Sequence, residues 1–325
     1  MSTAEHDRLA DSDDSRAAWR HWGPYVSARQ WGTVREDYSA DGNAWEHLPF
    51  DHAHLRAYRW GEDGLAGLCD VDGFLNLGLA LWNGRDDRLK ERLFGLTNPQ
   101  GNHGEDVKEY WWALEGTPTH SYASWLYRYP QAAFPYEELV RVNGERGVAD
   151  EEYELADTQV LDEDRFFDVQ VTHAKASPSD ICVEITATNH GPDPAALHLV
   201  PQLWFRNTWS WGLDERRPRL WAGDPREGYD VAIVGEHHEL GRVRLSGSAG
   251  PGARVRKPDF SSATTRPTSP RSTARAPSGR GRRPTPRTRS TGPSSTGTPT
   301  PPTRTRRAPR RPCGGPLNRS RRVRA

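Results

Sequence analysis

The chain reads as a mainly β protein: an antiparallel β-sandwich, incomplete, with a few short helices and a disordered Arg/Pro-rich tail. Three observations predict this. Between Tyr153 and Trp211 apolar residues recur at every second position, as Phe167, Val169, Val171, then Ile181, Val183, Ile185, Ala187, then Leu197, Leu199, Pro201, Leu203. Turn-forming stretches, Ser177-Pro178-Ser179-Asp180 and Asn189-His190-Gly191-Pro192-Asp193-Pro194, separate these runs at hairpin-like spacing. Strands with one apolar face must bury it, and packing two such sheets together does so. Third, the regular pattern stops after Gly241–Leu245, before a two-layer sheet of this size is finished.

Composition changes at the same place. All 44 acidic residues precede Ser261, whereas 17 of the 44 basic residues, each of them Arg, and 12 of the 26 Pro follow it. The zero net charge therefore sums a body of about −17 and a tail of about +17. All 13 Trp lie at or before Trp221, and the last aromatic residue is Phe260. The tail holds nothing apolar enough to offset the entropy of ordering. The sequence thus divides into a disordered or short helical start (1–18), a sandwich (19–257) and a disordered tail (258–325). An Arg-rich arm that neutralises nucleic-acid phosphates is one reading of the tail, but the absence of Lys and of interleaved aromatics argues against it. The composition is also what a GC-rich gene yields when read out of frame, so a frameshift near Pro258 that replaced the natural continuation is the expectation.

The elements follow in order. Residues 1 to about 14 are acidic and Ser-rich, and Asp13, Asp14 or Ser15 caps a short helix through Trp22, which Gly23-Pro24 stops. Leu55–Trp60 and Leu65–Cys69 flank the turn Gly61-Glu62-Asp63-Gly64, and Phe74–Trp82 follows a second turn at Asp72-Gly73, which makes a meander. Arg85–Leu96 reads as a helix, with Leu89, Leu93 and Leu96 on one face and Lys90, Glu91 and Arg92 turned mostly away. Val107–Leu114 and Tyr122–Tyr129 form an aromatic strand pair joined by Gly116-Thr117-Pro118, and Ala132–Asp150 carries no decisive pattern. Tyr229–Val234 and Gly241–Leu245 add one hairpin.

The chemistry-bearing stretch is Trp31-Gly32-Thr33-Val34-Arg35-Glu36-Asp37-Tyr38-Ser39. It combines an indole, a guanidinium, two carboxylates, a phenol and two hydroxyls, the groups from which sugar sites are built; a surface turn around a half-buried Trp fits the composition equally well. Adjacent carboxylates at Glu36-Asp37, Glu62-Asp63 and Glu105-Asp106 do not make an acid/base pair by themselves, because neighbours on extended chain point to opposite faces. His52 and His54 share a face, His237 and His238 point apart, and neither pair has a third ligand at a recognised spacing, so no metal is expected. Trp111-Trp112, Trp125 and the group Trp204, Trp209, Trp211 are candidates for stacking sugars, although on a sandwich most serve as core or interface anchors. No phosphate-binding or dinucleotide motif occurs, so no cofactor is expected. Cys69, Cys182 and Cys313 are few and scattered, which fits free, mostly buried thiols in a reducing cytoplasm, and no apolar run approaches a membrane span.

Six runs carry a resemblance. The stretch Trp31–Ser39, Tyr58–Gly67, Leu81–Arg85, Leu89–Leu96, Gly101–Glu109 and Leu203–Trp209 together resemble the N-terminal region of bacterial glucosidases of glycoside hydrolase family 63, relatives of the processing α-glucosidase, over about residues 20 to 245. The resemblance implies a much longer enzyme. In it an N-terminal β-sandwich precedes an (α/α)6 barrel, whose Asp and Glu hydrolyse α-glucosidic bonds of an oligosaccharide with inversion. The barrel, which would be the sandwich's partner, is absent here, so no catalytic residue carries over and the chain is expected to be inactive alone. Trp31, Arg35, Glu36, Asp37 and Trp209 are the expected substrate-contacting residues. A carbohydrate-binding or docking module with weak sugar affinity is the alternative, and an Arg-tail nucleic-acid binder a third.

Overall fold

Alternation of side chains across strands decides the architecture. The structure, a computed structural model, describes residues 2–13, 18–25, 65–96, 100–101, 106–209, 215–250, 254 and 322–324, all within one unit formed by Met1–Pro267 with Ser320–Ala325. The elements are α1 (Ala4–Asp13), β1 (Trp22–Gly23), β2 (Leu65–Asp70), β3 (Leu75–Trp82), β4 (Gly95–Leu96), β5 (Asp106–Val107), β6 (Trp111–Gly116) and β7 (Tyr122–Pro130). Then follow α2 (Tyr136–Glu145), β8 (Phe166–Ser177), β9 (Asp180–Asn189), β10 (His198–Phe205), β11 (Arg219–Ala222), β12 (Val231–His237), β13 (Gly241–Gly247) and β14 (Arg322–Arg324).

The strands form a four-stranded sheet in the order β1-β2-β3-β10 and a five-stranded sheet in the order β14-β9-β8-β7-β6. Every pairing in both is antiparallel. Leu65, Ala66, Leu79 and Leu81 of the first sheet pack against Trp125, Tyr127, Tyr129, Phe167, Val169, Val171 and Ile185 of the second, so the chain is mainly β and the two layers share one core. The period-2 runs at Phe167–Val171 and Ile181–Ala187 are β8 and β9, as the sequence predicts. Gly73 carries φ of 69° in the turn between β2 and β3, a conformation that costs a residue with a Cβ. A third, three-stranded sheet (β11-β12-β13) includes the expected second hairpin.

Three expectations fail. The N-terminal helix lies at Ala4–Asp13, whereas the described part of the expected one holds only a single 3-10 turn, Trp19–His21, before β1; Glu5 holds α1 to the β6–β7 turn by accepting from the Thr119 amide (2.9 Å), the Thr119 hydroxyl (2.7 Å) and the Ser121 hydroxyl (2.9 Å). Arg85–Leu96 is not helical: Lys90 exchanges both backbone hydrogen bonds with Leu81 of β3 (2.8 and 2.9 Å), and Gly95–Leu96 is a strand. The leucine spacing was coincidental, since Leu89 is 47% exposed while Lys90 and Arg92, expected outside, are buried. Cys182 is exposed, and only Cys69 of the two described cysteines is buried. The helix α2 fills part of the undetermined stretch; Val142, Asn143 and Gly144 are poor helix formers, which hid it. Of the tail, the described residues are Arg322–Arg324, which pair with Thr186–Thr188 at the edge of β9.

One polar device closes the sandwich at the end where β8 finishes. Lys175, on the core face of β8, donates from Nζ to the carbonyls of Trp19 (2.6 Å) and Trp22, and burial pulls its ammonium down to about 8. That anchors the segment leading into β1.

Candidate functional site

The expected sugar contacts Trp31, Arg35, Glu36 and Asp37 lie outside the described residues, as do His52, His54, Trp211, Cys313 and the carboxylates Glu62, Asp63 and Glu105. Trp209 is described and half-buried just past β10. Of the other tryptophans, Trp125 and Trp204 belong to the buried interior, and Trp111 stacks on Trp125 with centroids 6.5 Å apart. His237 and His238 do not point apart: their rings stack at 4.2 Å, because His237 ends β12 and the chain leaves the pleat in the following turn. His237 also lies against Phe74 and Phe205 (4.9 and 5.4 Å), which uses the pair as packing between β10 and the third sheet. No cluster of metal-ligating side chains occurs among the described residues.

A dense ionisable grouping among the described residues is one the sequence did not reveal. Asn83, at the end of β3, accepts from the amides of Arg85 (2.9 Å) and Asp86 (2.8 Å) and donates to the carbonyls of Pro130 and Ala132 (2.8 Å each). Gly84, with φ of 75°, lets the chain turn there. The turn carries Asp86 beneath the inward phenols, so that Asp86 Oδ2 accepts from Tyr129 (3.0 Å) and from Tyr136 of α2 (3.1 Å). Beside it Glu109 accepts from the Tyr127 hydroxyl (2.8 Å) and the Phe94 amide (2.6 Å) and pairs with Lys90 Nζ at 2.6 Å, both side chains of that ion pair being closed to solvent. The Lys90 ammonium also lies 4.1 Å from the Phe134 ring centroid and 4.6 Å from that of Tyr136.

Electrostatics follow from burial. Loss of water pushes the Asp86 carboxyl above its ordinary value, against the pull of Lys90 and of the two phenols. The Tyr127, Tyr129 and Tyr136 hydroxyls are raised strongly, first by burial and then by the neighbouring carboxylates, so they stay protonated donors. A charge moved into the interior costs several kcal/mol unless it is paired and hydrogen-bonded, a condition that Lys90 and Glu109 meet. Both carboxylates are buried, and the grouping fixes the 83–94 loop to the end of the sandwich. A signal that could have found it is the pair Tyr127 and Tyr129 at period 2 on an apolar strand, because phenols facing a core require buried acceptors.

With this geometry in place, the comparisons with known proteins add one relative. The chain is 51% identical over 219 residues to "Uncharacterized protein YMR196W" of Saccharomyces cerevisiae, a match that covers 64% of this chain and 20% of the yeast protein. The chain thus matches only a fifth of the relative's length. No family model matches, and no solved structure matches. No helix among the described residues is long and apolar enough to cross a membrane.

Proposed function

We propose that this chain is the N-terminal, non-catalytic β-sandwich part of a glucosidase-like glycoside hydrolase and has no glycosidase activity alone. The observation that carries the reading is the size relation: a relative 51% identical to the chain extends the matched region about fivefold, which leaves ample length for a catalytic domain. The two-layer antiparallel architecture is what the resemblance to family 63 glucosidases implies for this region, and the buried carboxylates Asp86 and Glu109 are engaged in holding a loop. In the intact parent, an Asp acid and a Glu base of the barrel hydrolyse an α-glucosidic bond of an oligosaccharide with inversion, using water and no cofactor. There Arg35, Glu36 and Asp37 line the rim of the pocket, Trp31 anchors the loop between sandwich and barrel, Trp209 contacts the sugar, and the cytoplasm is the setting.

Turnover decides it. The purified chain is expected to leave an aryl α-glucoside and short glucose oligomers intact, and a gene restored to the alternative frame after Pro258 is expected to cleave them. Clear turnover by the chain itself, or stop codons in both other frames just downstream, would sink the reading.

A further inference from the structure

The outward face of the five-stranded sheet carries a second aromatic and polar grouping that the core does not use. Trp112 of β6 stands opposite Leu126 of β7, and Leu126 opposite Gln170 of β8. Arg128 stands opposite Asp168 in the next row on one side, and Ser124 opposite Thr172 on the other. Trp112 is 41% exposed and is braced by Tyr110, whose ring runs nearly parallel at 27° with centroids 6.3 Å apart.

The polar groups beside it are held in place. The Arg128 guanidinium lies 4.0 Å over Phe166 and 5.8 Å from the Trp112 ring, and it forks onto both Asp168 oxygens at 2.9 and 3.0 Å. His190 Nε2 reaches the same carboxylate at 3.0 Å. These contacts leave Arg128 Nη1 without a hydrogen bond among the described residues. Gln170 donates from Nε2 to Ser124 Oγ at 3.0 Å, and its amide oxygen likewise has no such bond. The result is an apolar floor, Trp112 and Leu126, between a fixed guanidinium–carboxylate pair and a fixed amide.

We propose that this face binds a pyranose chain, with one sugar ring on the Trp112 indole and hydroxyls on Arg128, Asp168 and Gln170. Indole faces accept the C–H side of a pyranose, and the fixed fork and amide offer donors and acceptors at the ring's edge. Trp112 and Gln170 are two strand spacings apart, about 10 Å, a distance that a disaccharide bridges. Phosphates are disfavoured beside the indole. Asp168 neutralises Arg128, and Glu115 and Glu184 in the row of Ser124 repel phosphates. The choice of α-linked glucose oligomers as ligand rests on the glucosidase reading; the platform itself does not.

Titration of the full chain with maltotriose and isomaltotriose, followed by tryptophan fluorescence and calorimetry, tests it. Saturable binding is expected with a dissociation constant on the order of 1 mM. Trp112→Ala is expected to weaken it at least about tenfold, and Gln170→Ala about three- to tenfold, with the urea midpoint of each variant near that of the parent chain. Absence of saturation, or equal binding by both folded variants, overturns the platform. Neither result touches the glucosidase reading, which turnover by the frame-restored gene decides.

Discussion

Along β7, two consecutive residues serve polar groupings that differ in their access to water. Tyr127 points inward to Glu109 and Lys90, with all three side chains buried, while Arg128 points outward to Asp168, with 31% of the arginine and 17% of the aspartate side chain exposed. Each grouping unites an aromatic ring, a cation and a carboxylate. The inward one is closed to solvent and engaged by protein partners. The outward one keeps donors and acceptors unsatisfied within the described residues. Residue type alone does not separate structure from function here; the parity of a residue along the strand does.

The sharpest way to break this contrast is Glu109→Gln. It removes the carboxylate paired with the buried Lys90 ammonium and leaves only the more distant pull of Asp86, and a loss of about 3–5 kcal/mol is expected from urea unfolding. Replacing both partners, as in Lys90→Met with Glu109→Leu, is expected to cost far less than the two single losses added together. A change under about 1 kcal/mol in Glu109→Gln would show that water reaches the inward grouping after all.

A middle-sized effect comes from His173, on the core face of β8 at 5% exposure, where burial lowers its imidazole from 6.5 to about 4. Between those values the unfolded chain holds more protons than the folded one, so stability falls as pH drops from 6.5 toward 4. The fall reaches up to about 3 kcal/mol from this group. His173→Phe is expected to flatten that part of the pH–stability curve; an unchanged slope would mean that the core admits the charged ring.

The smallest effect is expected outside. Arg128→Met removes a partly exposed pair and should shift the unfolding free energy by less than about 1 kcal/mol. A larger loss would place the outward grouping with the structural ones.

What the sequence disclosed follows the reach of each signal. The runs at Phe167–Val171 and Ile181–Ala187 were legible because strand periodicity is local. Leu89, Leu93 and Leu96 imitated a helix for the same reason: spacing within one segment carries no information about Leu81, whose bridge to Lys90 holds the backbone extended. The buried ion pair was hidden because Lys90 finds Glu109 only across a further strand and turn, and a lysine and a glutamate in isolation read as surface. Of the expected sugar contacts, Trp209 alone falls among the described residues, and it is half-buried. Trp112, exposed beside Arg128, becomes conspicuous only once the pairing of Trp112 with Leu126 fixes which face it occupies.

The Lys175 clamp has a consequence in time. Its bonds to Trp19 and Trp22 span 156 and 153 residues, so the start of the chain leaves the ribosome long before its anchor is made. At about 5–20 residues per second that interval is roughly 8–30 s, during which β1 has no lysine to hold its approach. The approach to β1 is thus fastened only after β2–β7 and most of β8 have been made, and until then it stays open to chaperones or proteases.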